Sequence, residues 1–149
     1  MNLVKHITLC EVGLRDGLQN EASALTTEEK IRTVNALTEA GFPVIEVGSF
    51  VSPKAVPQMA DTDDVFRGIT RKSDVEYRAL IANARGVDRA AACGCKKVKL
   101  NVSASTAHNL ANLNCTPAES VARFAECVAK AREASIGISG SISMAFGSP

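Results

Sequence analysis

The chain has 149 residues, the size of one ordinary domain, with 46% apolar and 22% charged residues and a formal charge of +1. That balance allows a core and an ordinary polar surface, and it offers no basic face to nucleic acid or to an anionic membrane. A single tyrosine and the absence of tryptophan also argue against base stacking, and no apolar run approaches the ~18 residues of a membrane span.

His6 to Val12 (HITLCEV) reads as a strand. Thr26 or Thr27 offers an N-cap, with Glu28 and Glu29 in the first turn. Ile31, Val34, Leu37 and Ala40 follow at helical spacing, and Gly41 ends the helix. Pro43 to Val47 (PVIEV) is a second strand. Asp61 or Thr62 caps a second helix carrying Val65, Phe66 and Ile69. Val75 to Ile81 (VEYRALI) is a third strand, followed by a short helix from Gly86 to Cys93 that stops at Gly94. Lys97 to Val102 (KVKLNV) is a fourth strand in which lysine and apolar residues alternate. The stretch STAHNLANLN reads as a polar loop. Pro117 then takes the first helical position after a capping Thr116, with Val121, Phe124, Ala125 and Val128 as the inner face. Ile136 to Met144 (IGISGSISM) is the fifth strand.

Five strands alternating with four helices predict an α/β fold with a parallel sheet and right-handed crossovers. An open doubly wound sheet and part of a (β/α)8 barrel both fit, and no G-x-G-x-x-G follows any strand to favour the dinucleotide-binding version. Polar residues gathered after successive strands tilt the choice to a partial barrel: Arg15 and Asp16, then Glu46 and Ser49, then Asn83, then Ser103 and Ser105.

The five cysteines include a C-x-C pair, Cys93 and Cys95, but no second pair at zinc-site spacing. With no secretion signal before them, they are expected to be reduced thiols in a cytoplasmic protein, mostly small buried residues.

The stretch EVGLRDGLQNE (Glu11 to Glu21) carries the chemistry. On an extended backbone the side chains of Arg15 and Asp16 diverge, with Gly17 allowing a tight bend behind them. A carboxylate suits a hard divalent cation, and a guanidinium suits a carbonyl, enolate or carboxylate oxygen. Together they suit a site that stabilises negative charge developing on oxygen, although a surface ion pair in a turn has the same spacing. Glu46 interrupts an apolar strand, so it belongs either to a site or to a paired position in the core. His6 opens the first strand and is expected to be exposed or half-buried. His108 lies where it either touches a ligand or is solvated, and the same choice holds for Lys54 in the long segment SFVSPKAVPQM.

EVGLRDGLQNE, VIEVGSFVSPKAVPQMAD and the N-L-N-C-T segment together resemble the N-terminal half of 3-hydroxy-3-methylglutaryl-CoA lyase, over essentially the whole chain. This family belongs to the metal-dependent TIM-barrel group that includes isopropylmalate and homocitrate synthases. R-D-G-x-Q is common to the group, whereas R-D-G-L-Q-N-E followed by S-F-V-S-P-K-x-V-P-Q is far more specific to the lyase. The resemblance implies that Asp16 binds a divalent metal, Mg2+ or Mn2+. It implies that Arg15 polarises the thioester-side carbonyl and that Glu46 sits at the catalytic centre. It places Ser49 and Gln19 beside the acyl substrate; Asn83, from the strand-end pattern, and His108, from its polar loop, are candidates for substrate-side loops.

The implied reaction splits 3-hydroxy-3-methylglutaryl-CoA, or a related 3-hydroxyacyl-CoA, by retro-Claisen cleavage, which for the former gives acetoacetate and acetyl-CoA. The fold typically runs to ~250 residues, so the chain is expected to be the N-terminal portion of one barrel domain. On that reading the family's histidine and asparagine metal ligands and its lid cysteine lie beyond Pro149, and the chain is inactive alone. It is also expected to form a homo-oligomer or to depend on the missing half. The family often has Glu and Phe where this chain has Thr106 and His108, and Cys where it has Ser148. The first pair is read as the mark of a paralogue with another acyl group, the last as neutral or as a sign of a decaying gene. A condensing synthase and a non-catalytic fragment are the competing readings. The S-F-V-S-P-K loop argues against the synthase.

Overall fold

The computed structural model describes residues 4–147. Five parallel strands form one sheet in the order β1 (Cys10–Glu11), β2 (Val44–Ser49), β3 (Glu76–Leu80), β4 (Lys97–Ser103), β5 (Gly137–Ser143). The spatial order follows the chain order, with no reversal. A doubly wound sheet needs a reversal to create its switch point, so the sheet is the curled half of a (β/α)8 barrel, as expected. The helices are α1 (Thr27–Glu39), α2 (Thr62–Gly68), α3 (Ala84–Ala92), α4 (Thr106–Leu113) and α5 (Pro117–Glu133).

Alternation along the strands separates two faces. Ile45, Val47, Ala79, Val98 and Leu100 point outward and pack with Val34, Val65, Phe66, Val87, Ala90, Cys127 and Ala131 of the helices into one buried core. The opposite face carries Glu46, Arg78, Lys99, Asn101 and Ser141. At Gly48 a Cβ would come within 2.6 Å of the Thr62 hydroxyl, so only glycine lets α2 approach β2 this closely.

The caps explain why the helices start where they do. The Thr26 hydroxyl accepts from Glu29 N at 3.2 Å and the Glu29 carboxylate accepts from Thr26 N at 2.8 Å, closing a capping box. Thr116 and Glu119 repeat the arrangement ahead of α5, with Pro117 at its first position. Asp61 stands at the N-cap of α2 but spends its carboxylate elsewhere, on Lys30 and Thr27.

Four details differ from the sequence reading. The pairing of the first strand is confined to Cys10 and Glu11, because residues 4–9 lie exposed beyond the edge of the sheet. The stretch expected as a polar loop forms an additional helix, α4. Ser105 caps it by accepting from His108 N at 3.3 Å, and Asn114 closes it in the left-handed conformation, φ 51°.

The buried face of α5 is Ser120, Cys127 and Ala131, with Phe124 half-buried, while Val121 is 57% exposed and Ala125 is exposed. Apolar type misled there. A buried hydrogen bond from Asn109 Nδ2 to Ser120 Oγ (2.8 Å) turns the helix so that the serine faces inward. Ser148 lies outside the described residues. Lastly, Gly17 has ordinary helical φ, −63°, and a Cβ there would meet nothing within 4 Å. The bend does not depend on glycine.

Candidate active site

The chain leaves β1 into a single wide turn, Gly13–Gly17, and then a short 3-10 turn, Leu18–Asn20. Arg15 N and Asp16 N both donate to the Val12 carbonyl, at 3.1 and 2.7 Å. The wound backbone brings together the two side chains that an extended backbone would separate. Arg15 Nη1 lies 2.5 Å from Asp16 Oδ1, and Arg15 Nε donates to Glu46 Oε1. The expected divergence of this pair is therefore replaced by convergence, with Arg15 as the hinge between an exposed carboxylate and a buried one. The Asp16 side chain is 57% exposed and the Glu46 side chain has no exposure.

A fully buried carboxylate is costly unless cations and hydrogen bonds replace its water. Glu46 has three cations. Besides Arg15, Arg78 Nε and Lys99 Nζ each lie 3.4 Å from Oε2. Arg78 stands directly opposite Glu46 on β3, and its Nη2 is 2.9 Å from Cys10 Sγ. Its Nε is buried and makes no hydrogen bond among the described residues. The Cys10 thiol is pushed up from its ordinary value, chiefly by burial, with Arg78 opposing that shift.

These groups stand beside a cleft of about 850 Å3 at the C-terminal end of the strands. Its lining includes Arg15, Asp16, Gln19, Lys99, Asn101, Ser103, His108, Ser141 and Ser143. Arg15, Asp16, Gln19 and His108 are thus brought to one cavity. Two other predicted site residues are placed differently. Ser49 is buried, with its Oγ on the Leu80 carbonyl at 3.3 Å, so it braces β2 against β3. Asn83 caps α3 by accepting from Gly86 N at 3.3 Å, which is a sufficient structural role. Lys54 and His6 are exposed.

The long loop after β2 is pinned rather than free. Lys30, 4% exposed, donates to the Gln58 carbonyl (2.6 Å) and to Asp61 (2.5 Å). Gln58 Nε2 donates to the Glu21 carbonyl (2.8 Å), tying this loop to the turn that carries Arg15. Arg89 grips Asp63 and the Val51 carbonyl and stacks over Phe50.

Reading the sequence did not single out Arg78, Lys99, Asn101, Ser141 or Ser143. The signal was available for Lys99, a cation inside a buried strand, as Glu46 is a carboxylate inside one. The described residues contain no group of three His, Cys, Asp or Glu side chains able to hold a metal ion. No helix among them is long and apolar enough to cross a membrane. All five cysteines are free.

Comparison with known proteins places this geometry. The chain is 46% identical over 147 residues to the mitochondrial hydroxymethylglutaryl-CoA lyase of Rattus norvegicus, covering 99% of this chain and 45% of the rat protein. It is 45% identical over 149 residues to the 3-hydroxy-3-isohexenylglutaryl-CoA/hydroxymethylglutaryl-CoA lyase of Pseudomonas aeruginosa, covering 100% and 50%. Among solved structures it matches an HMG-CoA lyase from Acinetobacter baumannii in complex with coenzyme A and 3-methylmalate. That match has a TM-score of 0.90 and 43% identity, over 94% of this chain and 46% of that one. The chain spans about half the length of the curated relatives it matches. The HMGL-like family model matches residues 6–149, and the chain belongs to the HMGL-like family.

Proposed function

We propose that this chain forms the Arg15–Asp16–Glu46 side of the active site of a lyase. The reaction cleaves 3-hydroxy-3-methylglutaryl-CoA, or a related 3-hydroxyacyl-CoA, to acetoacetate and acetyl-CoA. The observation that carries this reading is the position of Arg15. One guanidinium is held by a buried carboxylate on one side and by an exposed one on the other, at a polar cleft, in a chain 45–46% identical to lyases of this class.

In cleavage, negative charge develops on the thioester oxygen as the carbon–carbon bond breaks. Arg15 holds that oxygen, and its fixed position means little reorganisation at the moment of reaction. Glu46 is the positioning residue for Arg15: its Oε1 takes Nε and leaves the remaining N–H groups for the ligand and Asp16. Polar groups lining the cleft, Gln19 and His108 among them, orient the acyl portion. Ser49 acts from behind the wall, through the β2–β3 pairing that its hydroxyl supports.

Asp16 has the right chemistry for a divalent cation, Mg2+ or Mn2+, because it is an exposed carboxylate on the cleft. When bound, such an ion acidifies the substrate's tertiary hydroxyl. One carboxylate fills one position of a hard cation's oxygen shell, so the fit is partial. We infer that the isolated 149-residue chain binds magnesium weakly and does not turn over the thioester. Residues 1–149 serve as the N-terminal portion of one barrel domain, acting with a complementing half or as a homo-oligomer. We infer a reducing compartment from the free thiols, with the cytoplasm as the proposed one; the rat relative is mitochondrial.

The test joins residues 1–149 to the C-terminal half of the Pseudomonas aeruginosa lyase and assays acetoacetate release with and without magnesium. Metal-dependent release supports the reading. A folded hybrid that binds the thioester but never cleaves it contradicts it.

A further inference from the structure

We propose that the opposite end of the sheet carries a second site, a pocket that binds a phosphoryl group. It is independent of the lyase reading. The cleft described above lies past the C-terminal ends of the strands, whereas this pocket lies at the N-terminal ends of β3 and β4. Its volume, about 370 Å3, is within the range of small-molecule sites. Arg71, Lys72, Lys96 and Lys97 line it, against one carboxylate, Glu76.

Each charge can be followed to its partner. Lys72 is taken by Glu39, 2.9 Å away, and Asp74 attracts it as well. Glu76 faces Arg78, whose Nη1 lies 3.5 Å from its Oε1. Arg71, Lys96 and Lys97 make no ion pair among the described residues. Three cations without a carboxylate thus meet at one cavity.

Two of them are seated by the fold. Arg71 Nη1 donates to the Gly94 carbonyl (2.7 Å), and Nη2 donates to the carbonyls of Phe66 (2.5 Å) and Cys93 (3.0 Å). These carbonyls stand at the C-terminal ends of α2 and α3, where the helix dipoles would repel an anion. The guanidinium covers them and turns a negative end positive. Gly94 makes room for it: the backbone there has φ 74°, and a Cβ would come within 3.1 Å of Arg71 Nη1. Lys97 lies across Gly137 at the start of β5, where a Cβ would come within 2.9 Å of its Cδ.

The ligand follows from the charge and the walls. One carboxylate would leave two of the three cations unanswered. A phosphate monoester carries close to two negative charges and three acceptor oxygens, which suits a guanidinium with two ammonium groups. Ser73 lines the same pocket and adds a hydroxyl, and Phe66 and Tyr77 give it an apolar wall against which an organic body can lie.

The experiment is calorimetric titration of the 149-residue chain at pH 8 with phenyl phosphate, inorganic phosphate and benzoate. Phenyl phosphate should bind about tenfold tighter than benzoate, the size of one charge-assisted hydrogen bond. Lys96→Gln/Lys97→Gln should lower phenyl phosphate affinity by about tenfold or more. Lys5→Gln/Lys54→Gln, which removes the same charge from exposed positions outside the pocket, should stay within about twofold of wild type. Circular dichroism confirms folding, and Lys96→Gln alone, at an exposed position, should show a partial loss if the double variant does not fold. Inorganic phosphate separates the two sources of the group. Affinity equal to that of phenyl phosphate assigns the pocket to the free ion, and weaker affinity assigns it to an organic ester; both support the site. Failure of wild type to bind either phosphate overturns the proposal. So does binding that is unchanged without Lys96 and Lys97, or that falls equally when Lys5 and Lys54 are removed.

Discussion

The Arg15 Nε donates to the Oε1 of Glu46, joining the turn after β1 to the buried interior of β2 across 31 residues of sequence. The Glu46 side chain is inaccessible and the Arg15 side chain is 11% exposed, so the pair fixes where the other donors of Arg15 point. Glu46→Gln should therefore do more than remove one ion pair. It leaves Arg15, Arg78 and Lys99 facing each other without a buried anion. Loss of one partner from a buried charge cluster costs about 3–5 kcal/mol. Urea unfolding checks this. A midpoint equal to wild type would show that Glu46 contributes nothing to the fold.

The two capping boxes make a pH-dependent contribution. Glu29 and Glu119 are held below the ordinary carboxylate value of 4.5, first by hydrogen bonds from the backbone N–H of Thr26 and Thr116 and then by their hydroxyls. A folded-state value that is lowered stabilises the fold above the ordinary value, and the contribution is lost as pH falls through the folded value. The melting temperatures of wild type and the Glu29→Gln/Glu119→Gln variant should thus converge as pH drops below about 4.5. A difference that widens on acidification would contradict the assignment. Thr116→Ala should cost about 1 kcal/mol at neutral pH.

The architecture was legible in the sequence because it rests on local signals. The capping threonines, Pro117 and the alternating strands are read from neighbouring residues, and they gave α1, α5 and β2 to β5, whereas β1 is cut to two residues and α4 was missed. The site was half legible. Asp16 and Arg15 stand out in a turn, and Glu46 stands out against the apolar residues around it. Whether Arg15 and Asp16 converge depends on the backbone winding after Val12, which no local pattern announces. Arg78 and Lys99 acquire meaning only when β3 and β4 are laid beside β2. The serine face of α5 was misread for a similar reason, since Asn109, which turns it inward, lies on another helix.

Thiol chemistry offers an independent check on packing. Burial pushes the Cys95 thiol up to about 12, and Cys93 and Cys127 shift the same way for the same cause. These groups remain neutral thiols at pH 8.5 and are poor nucleophiles. Iodoacetamide at that pH should leave Cys95 unmodified in the folded chain and alkylate it fully in denaturant. Cys10, half-buried at the sheet edge, should react first. Rapid native alkylation of Cys95 would show that the outer core is open.

Association is expected from the edge of the sheet. β5 pairs on one side, with β4, and Ile142 (66%) and Phe146 (107%) are exposed beside it. An uncovered edge with apolar neighbours recruits other chains. Sedimentation velocity should show self-association that weakens when Ile142 and Phe146 are changed to Ser. A stable monomer with a sharp, cooperative melt would contradict it.

The role of Arg15 is tested most directly by comparing Arg15→Met with Asp16→Asn in the hybrid enzyme carrying residues 1–149, with metal affinity and cleavage rate measured on each. Arg15→Met should leave metal affinity nearly unchanged and lower the cleavage rate by about a hundredfold or more, the usual consequence of losing one oxyanion donor. Asp16→Asn should weaken Mg2+ or Mn2+ binding by removing the charge a hard cation prefers, and added metal should recover part of its rate. If Arg15→Met cleaves at the wild-type rate, Arg15 does not hold the developing charge and the account of this site is wrong.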